Sequence, residues 1–278
     1  MTDWQLRKTF STTSGTVRWD RWGQDGGEPV VLLHGTPFSS FVWREVAQAL
    51  ARQYQVFLWD MPGYGTSEKH AGQDVSLDAQ GRVFAELLER WELTEPAVVA
   101  HDFGGAVALR AHLLHKAAYR GLALVDPVAL APWGSPFFRL VGSNSEVFEQ
   151  LPPALHRALV REYVRSASFA GLRPEVADRL TAPWSDDEEG QAAFYRQIAQ
   201  ADQRYTDEVQ ELYPGIELPV AVCWGAEDTW IPVSRGHELT SLIPGATLDV
   251  IPDAGHLVPL DAPAALTASL LAFLRRLS

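Results

Sequence analysis

Short apolar runs that end abruptly in polar residues alternate with longer stretches of helical spacing along most of this chain. Near-continuous apolar runs are typical of strands buried on both faces, and strands that alternate with helices predict an α/β fold with a mostly parallel sheet. The predicted parallel strands are Pro29–His34, Gln55–Asp60, Pro96–His101, Gly121–Val125, Pro219–Trp224 and Thr247–Ile251.

Helical spacing with few breakers fills several of the intervals between these strands. Residues 8–22 alternate instead between apolar and polar side chains, which predicts an antiparallel strand pair turned at residues 13–15. The predicted helices of this region are Phe41–Ala51, Ser76–Trp91, Gly104–Ala117 and Ala262–Leu277.

The strand pattern disappears over residues 129–215, where helical patterns surround an acidic loop predicted at residues 185–190. A helical insertion between two strands of a sheet predicts a cap that covers one sheet edge, so we expect residues 129–215 to form a helical cap and residues 1–128 and 216–278 to form the core. The helices predicted within the cap are Ser145–Gln150, Ala154–Ser166, Pro174–Leu180 and Gly190–Gln210.

The charge balance restricts the partners of the protein. Lys and Arg number 23 against 35 Asp and Glu, for a formal net charge of −12, so neither a nucleic acid nor an anionic membrane surface is an expected partner. The single cysteine, Cys223, cannot form an internal disulfide, and the first ten residues lack the apolar stretch of a signal peptide. We therefore expect a cytoplasmic monomer or homodimer that acts on small molecules.

Three reactive side chains follow predicted strands, at the sheet edge where open α/β sheets bind their ligands. Asp102 stands between a strand and a helix with small residues two positions before and after it, which suits a sharp strand-to-helix turn. Asp228 and His256 follow the two last strands. The chain order is therefore nucleophile, acid and histidine.

This order and five motifs resemble the α/β-hydrolase family over nearly all of residues 5–278. The resemblance implies an eight-stranded, mostly parallel sheet flanked by helices, with an inserted cap. Asp at the nucleophile position is similar to epoxide hydrolases, haloalkane dehalogenases and fluoroacetate dehalogenases, whereas most of the superfamily has Ser or Cys. The motifs are His34-Gly-Thr-Pro37, Asp60-Met-Pro-Gly-Tyr-Gly65, His101-Asp-Phe-Gly-Gly105, Gly225-Ala-Glu-Asp228 and Gly255-His256.

The chemistry of a carboxylate nucleophile explains this set of residues. A carboxyl group with an unperturbed pKa of ~3.9 is ionised at neutral pH, so Asp102 needs no base before it attacks a saturated carbon. The resulting ester is hydrolysed by a water molecule that His256 deprotonates, while Asp228 orients the imidazole. Backbone N–H groups of Thr36 and Phe103 are expected to form the oxyanion hole. These steps require neither a metal nor an organic cofactor.

Other polar residues near the predicted strand ends have competing interpretations. Asp126 directly follows the strand Gly121–Val125 and is the alternative triad acid, because fluoroacetate dehalogenases draw their triad acid from the corresponding strand. Asp228 is the favoured acid. His34 and His101 flank the site and are expected to pack there. A metal site at His112 and His115 is not expected, because no third ligand accompanies them.

The leaving group separates the aspartate enzymes. Haloalkane dehalogenases usually have Trp after the nucleophile and fluoroacetate dehalogenases usually have Arg there, whereas this chain has Phe103. The stretch Ala193–Gln197 is similar to the segment in which epoxide hydrolases carry a proton-donating tyrosine, which makes Tyr195 the expected donor. Tyr163 and Tyr205 are the candidates for a second donor.

The sequence thus predicts hydrolysis of an epoxide to a vicinal diol, with an apolar to moderately polar organic substrate and water as co-substrate. The alternatives are a dehalogenase with the same two steps, an esterase-like hydrolase, and a noncatalytic protein that keeps the pocket for binding. The residues predicted to line the pocket are His34, Phe38, Trp133, Tyr163, Trp184 and Tyr205.

Overall fold

The structure, a computed structural model, describes residues 4–277, so the predicted domain limits at residues 1 and 278 lie outside it. Its central feature is a single sheet. The strands are β1 (Lys8–Thr12), β2 (Gly15–Trp22), β3 (Pro29–Leu33), β4 (Gln55–Trp59), β5 (Ala97–His101), β6 (Gly121–Val125), β7 (Val220–Gly225) and β8 (Thr247–Ile251).

The strands lie in the order β1-β2-β4-β3-β5-β6-β7-β8. β1 and β2 form the predicted antiparallel pair, with Lys8 opposite Trp19, and β2 also runs antiparallel to β4. The other five pairings are parallel. The six predicted parallel strands are confirmed, and each differs from the observed strand by at most one residue at either end.

Helices flank the sheet and connect its parallel strands. In the core they are α1 (Arg44–Leu50), α2 (Leu77–Arg90) and α3 (Phe103–His115), followed after β7 by α10 (Ser234–Leu242), α11 (Val258–Asp261) and α12 (Pro263–Leu274). Between β6 and β7 lie α4 (Pro136–Ser143), α5 (Ser145–Phe148), α6 (Pro153–Arg165), α7 (Pro174–Ser185), α8 (Glu188–Ala199) and α9 (Arg204–Gln210).

The packing explains why the middle strands are apolar throughout. Every residue of β4, β5, β6 and β7 is buried, because helices cover both faces of the sheet there. Within the helical layers, α2 packs against α3 and α1 packs against α12. The edge strand β8 is largely exposed or half-buried. The fold is that of an α/β hydrolase, as the sequence predicted.

The segment between β6 and β7 differs from the prediction in three places. The acidic stretch is the start of α8, since the Asp187 side chain accepts the N–H of Gly190 and acidic residues stabilise a helix N-terminus. The single helix predicted over residues 190–210 is broken near Asp202, whose carboxylate accepts the N–H of Arg204 and so competes with helical hydrogen bonding. Helix α4 was not predicted, although Ser135 caps it and Pro136 begins it.

This helical segment is fastened to the core by a buried arginine. Arg110 of α3 is 2% exposed and donates to the Tyr205 carbonyl oxygen and to Glu208 of α9, each at 2.7 Å. The second terminal nitrogen of the guanidinium group donates to Asp78 of α2 at 2.8 Å.

The division into a core and a cap at residues 129 and 215 stays a prediction. Among the described helices, none is long and apolar enough to cross a bilayer.

We expect Arg110→Met to lower the free energy of unfolding by about 2–3 kcal/mol, because it leaves the buried Tyr205 carbonyl and the Glu208 carboxylate without their hydrogen-bond donor and removes one of the two arginines bound to Asp78. Urea unfolding followed by circular dichroism measures this change. Arg82→Met is the matched control, since Arg82 also pairs with Asp78 but its side chain is 45% exposed, and we expect a loss below about 0.5 kcal/mol. Equal losses in the two variants would contradict the role of Arg110.

Candidate active site

Asp102 occupies a sharp turn between β5 and α3. Its backbone has φ 51° and ψ −120°, a conformation that non-glycine residues rarely adopt, and its side chain is buried. Small neighbours make the turn possible. A Cβ atom at Gly35 would lie 2.3 Å from the Asp102 Cβ, and one at Gly104 would lie 2.6 Å from the His34 carbonyl oxygen. The sequence therefore aims a carboxylate at the carboxyl edge of the sheet.

Asp102, His256 and Asp228 form a continuous hydrogen-bonded chain. His256 Nε2 lies 3.2 Å from Asp102 Oδ2, and His256 Nδ1 lies 2.8 Å from Asp228 Oδ2. The second oxygen of Asp228 accepts the N–H groups of Trp230 and Ile231 at 2.7 and 2.9 Å. The imidazole is thus held between two carboxylates, one of which is fixed by the backbone.

Asp126, the alternative acid, lies beside this chain and is bonded differently. Its Oδ1 accepts the N–H of Gly225 at 2.9 Å, and its buried Oδ2 has no hydrogen-bond partner among the described residues. Burial raises the pKa of Asp126 well above its ordinary value, and the charge of Asp228 raises it further. These effects favour the neutral form of Asp126, and the carboxylate hydrogen-bonded to His256 is Asp228.

The same cluster has the donor types of a metal site. Ligand atoms of Asp126, Asp228 and His256 lie within 4.8 Å of one another. However, His256 Nδ1 is hydrogen-bonded to Asp228 at 2.8 Å and Nε2 lies 3.2 Å from Asp102, so both imidazole nitrogens are already paired with carboxylates. The arrangement fits an acid and a base better than a pair of ligands.

Backbone donors hold the other oxygen of Asp102. The N–H of Thr36 donates to Asp102 Oδ1 at 2.6 Å, and the N–H of Phe103 also hydrogen-bonds the carboxylate. Burial alone would raise the pKa of Asp102, but the hydrogen bond and charge of His256 outweigh it, and the net shift is downward. Asp102 is consequently ionised, with one oxygen in the predicted oxyanion hole and one facing His256.

The two carboxylates also decide the protonation of His256. Burial lowers the pKa of this imidazole, but the charge of Asp228 and the hydrogen bonds to both carboxylates outweigh burial, so its pKa is well above the ordinary value. His101 behaves oppositely: burial lowers its pKa to about 4, and its Nε2–H donates to the His256 carbonyl oxygen at 2.8 Å. The two carboxylates thus favour the imidazolium form of His256, whereas burial favours the neutral form of His101.

A narrow cavity of about 30 Å³ lies beside Asp102 and Thr36. Aromatic side chains form much of its wall, and three of them carry a polar hydrogen; the hydroxyls of Thr36 and Ser135 are the other polar side-chain hydrogens there. The indole N–H of Trp133 donates to the Thr206 hydroxyl at 2.9 Å, and that of Trp230 donates to Ser166 at 3.0 Å. By contrast, the Tyr163 hydroxyl makes no hydrogen bond to any described residue. The aromatic residues of the wall are Phe103, Trp133, Phe138, Tyr163 and Trp230.

Several predicted site residues lie elsewhere. Tyr195 does not line the cavity; its hydroxyl lies 2.8 Å from His156 Nδ1, which ties α8 to α6. Trp184 donates its indole N–H to the Pro37 carbonyl oxygen, and the Tyr205 hydroxyl accepts from Arg204. These aromatic side chains were predicted from residue type and position alone, which do not determine the direction in which a helix turns them.

Two further predicted pocket residues support the site from behind the cavity. His34 accepts the N–H of Met61 at 2.9 Å, and burial lowers its pKa. Phe38 stacks on Trp230 with ring centroids 6.0 Å apart. Of the predicted pocket residues, the structure brings Trp133 and Tyr163 to the cavity wall.

The sequence did not single out Gln197 and Tyr64, which touch the loop of the predicted oxyanion hole. Gln197 Oε1 accepts from the Thr36 hydroxyl at 2.6 Å and from the Tyr64 hydroxyl at 3.0 Å. Tyr64 stands within the Pro-Gly-Tyr-Gly motif after β4, and Gln197 ends the stretch that drew attention to Tyr195. Their positions in these two stretches were the sequence features from which Tyr64 and Gln197 could have been identified as site residues.

Comparison with known proteins defines the family. Residues 28–263 match the α/β hydrolase fold family, and the chain belongs to it. An α/β hydrolase fold protein of known structure from Burkholderia ambifaria is 45% identical, with a TM-score of 0.93 over 97% of this chain and 98% of that one.

Among curated proteins, the dihydrolipoyllysine-residue acetyltransferase component of an acetoin cleaving system from Pseudomonas putida is 28% identical over 94% of this chain and 67% of its own length. Haloalkane dehalogenase 2 from Mycobacterium bovis is 25% identical over 94% of this chain and 92% of its own length. The names of these relatives differ in activity, so the likeness defines an α/β-family hydrolase and leaves the substrate to the geometry of the site.

The influence of the neighbouring carboxylates on the pKa of His256 can be tested without a substrate. We expect the pKa of His256 to fall in Asp228→Asn and, by a smaller amount, in Asp102→Asn, because each change removes a negative charge that favours the imidazolium. Asp126→Asn should change it little, since a neutral carboxyl group is replaced by a neutral amide. Nuclear magnetic resonance titration of labelled histidine measures all three.

A larger effect of Asp126→Asn than of Asp228→Asn would contradict this assignment and identify Asp126 as the acid partner. Near-ultraviolet circular dichroism of each variant checks that the aromatic packing is unchanged.

Proposed function

We propose that this protein hydrolyses an epoxide to a vicinal diol through a covalent ester on Asp102. The observation that carries the proposal is a contrast among the aromatic side chains of the cavity. The Tyr163 hydroxyl has no hydrogen-bond partner among the described residues, whereas the indole N–H groups of Trp133 and Trp230 are already hydrogen-bonded to Thr206 and Ser166. An opening epoxide develops charge on an oxygen that requires a proton, while a departing halide requires donors such as indole N–H groups.

In the first step, Asp102 Oδ2 attacks one ring carbon and the bond from this carbon to the epoxide oxygen breaks. Oδ1 stays on the N–H of Thr36 and becomes the carbonyl oxygen of the ester. The Tyr163 hydroxyl gives its proton to the leaving oxygen. Desolvation and the charge of Asp102 raise the pKa of Tyr163, so the loss of that charge on alkylation makes the phenol a better acid.

In the second step, alkylation prepares His256 to act as a base. Ester formation removes one of the two negative charges that raise the pKa of His256, and the imidazolium releases its proton more readily. Neutral His256 then takes a proton from water, which attacks the ester carbonyl carbon. The N–H groups of Thr36 and Phe103 stabilise the oxyanion that forms on Oδ1.

Collapse of this oxyanion breaks the bond from the former ester carbonyl carbon to the alkyl oxygen. The departing alkoxide takes the proton of the new Asp102 carboxyl group and leaves as the diol, which restores the carboxylate. The proton that His256 released on alkylation returns to the Tyr163 phenolate, and His256 keeps the proton taken from water.

The roles of the two steps predict a trapped intermediate. His256→Gln should still be alkylated at Asp102 while hydrolysis stalls, so mass spectrometry of the peptide with Asp102 should show a mass increase equal to one epoxide. In wild type, a single turnover in heavy-oxygen water should place the label in Asp102 and leave the first diol unlabelled. A labelled diol in the first turnover, or no adduct with a substrate that wild type converts, would refute the ester mechanism.

The proton donor is tested by a pair of tyrosine substitutions. We expect Tyr163→Phe to lower epoxide turnover by about 10- to 1,000-fold, because the developing oxyanion loses its donor while the ring remains stacked on Trp230. Tyr195→Phe is the matched control within the same helical segment, since its hydroxyl is directed at His156. Styrene-type epoxides, followed by diol formation, provide the assay.

The same assay distinguishes the other readings. A large loss in Tyr195→Phe with little loss in Tyr163→Phe would restore Tyr195 as the donor. Haloalkane turnover without epoxide turnover, unaffected by Tyr163→Phe, would instead support a dehalogenase with the same Asp102 ester. A simple ester and fluoroacetate complete the substrate panel, and turnover of the ester alone would overturn the alkyl-transfer mechanism.

A further inference from the structure

Gln197 is the one polar side chain of α8 in contact, among the described residues, with the loop that follows β3. It is 2% exposed, and its Oε1 accepts two hydrogen bonds, from Thr36 Oγ1 at 2.6 Å and from the Tyr64 hydroxyl at 3.0 Å. Thr36 and Tyr64 belong to loops after two adjacent strands, β3 and β4. One side chain thus joins the helical segment to two loops at the edge of the site.

Thr36 connects Gln197 to Asp102, because its side chain and its backbone bind different groups. Its side chain is bound by Gln197, while its backbone N–H donates to Asp102 Oδ1 at 2.6 Å. The preceding residue, Gly35, has no side chain that could anchor the peptide, because a Cβ there would collide with Asp102. The peptide that carries the Thr36 N–H is held at its other end by the Gly35 carbonyl oxygen, which accepts the N–H of Phe38 at 2.9 Å and lies 3.0 Å from His34 Nδ1. The Thr36 side chain, bound by Gln197, is a second anchor.

The hydrogen bonds of the Gln197 amide show that its oxygen, and not its nitrogen, makes the contact with the two loops. Gln197 Nε2 is buried without a hydrogen-bond partner among the described residues, an arrangement that an apolar side chain would avoid. What the amide supplies at this position is an acceptor oxygen for two buried hydroxyl donors.

We propose that Gln197 is a positioning residue, which fixes the Thr36 N–H in the oxyanion hole from the helical segment between β6 and β7. The catalytic consequence rests on the proposed Asp102 ester mechanism. Charge develops on Oδ1 in the second step, when water attacks the ester, so a displaced Thr36 N–H slows hydrolysis more than alkylation.

The test compares two glutamines of α8 and its C-terminal cap. Gln197→Met keeps the volume and removes the strong acceptor, and we expect hydrolysis of the ester to slow about 10-fold while alkylation changes less than about 2-fold. Gln200→Met is the control. Gln200 also joins this segment to the core, through Val75 and Gln73, but makes no contact with Thr36. Rapid-quench measurement of adduct formation and decay separates the two steps.

A double-mutant cycle isolates the pair. Thr36→Val removes the same hydrogen bond from the other side and keeps its own N–H, whereas Gln197→Met also removes the acceptor of the Tyr64 hydroxyl. Thr36→Val should therefore slow hydrolysis by no more than Gln197→Met does, and the double variant should be no slower than Gln197→Met. Thr36→Val also serves as the test if Gln197→Met does not fold. Additive losses would show that the two residues act independently and would overturn the proposal.

A second readout needs no substrate. Hydrogen exchange of the Thr36 amide should become at least about 10-fold faster in Gln197→Met and stay unchanged in Gln200→Met, because only the first releases the loop. Unchanged exchange in Gln197→Met, or equal acceleration in both variants, would overturn the positioning role. If wild type forms no adduct with any substrate of the panel, the ester mechanism fails, while the exchange result still decides whether Gln197 positions Thr36.

Discussion

The buried negative charge of Asp102 is the constraint on which the site depends. A carboxylate removed from water is costly unless hydrogen bonds and an opposite charge compensate it. Here the compensation comes from the N–H groups of Thr36 and Phe103 and from the imidazolium of His256. Each of these groups lies at the carboxyl end of a different strand or at the start of α3, so the parallel sheet is what brings them together.

In the proposed mechanism, the same compensation also makes the two steps sequential. Alkylation of Asp102 would remove the charge that holds the proton on His256, so the group needed as a base becomes available only after the ester exists. Burial and the charge of Asp228 disfavour a further negative charge at Asp126, which lies in the same cluster with His256. Its location explains why two acidic positions compete in the sequence while one carboxylate contacts the histidine.

The helical segment between β6 and β7 completes the cavity above this charge. It provides Trp133, Phe138 and Tyr163 to the wall and, through Gln197, contacts the loop of the oxyanion hole. Hydrogen bonds at its ends connect it to the core, among them Trp230 to Ser166 and Arg110 to α9. In the proposed mechanism, one structural unit therefore provides both Tyr163, the proton donor for the leaving oxygen, and Gln197, the side chain that positions an N–H of the oxyanion hole.

The sequence alone determined the sheet and the reactive residues at its edge. Buried parallel strands have to be apolar along their whole length, and a strained turn requires small neighbours, so both leave marks that can be read without a structure. Asp102, Asp228 and His256 were predicted in this way, and the structure brings all three into one hydrogen-bonded chain.

The tertiary structure alone decided which side chains of the helical segment between β6 and β7 line the cavity beside Asp102. Tyr163 and Tyr195 are equal as residue types, and helical spacing does not determine which of them faces the cavity. Packing of α6 against α8 directs the Tyr195 hydroxyl to His156 and leaves Tyr163 beside the cavity. Gln197 was missed because its partners, Thr36 and Tyr64, are more than 130 positions away in the chain and meet it only after folding.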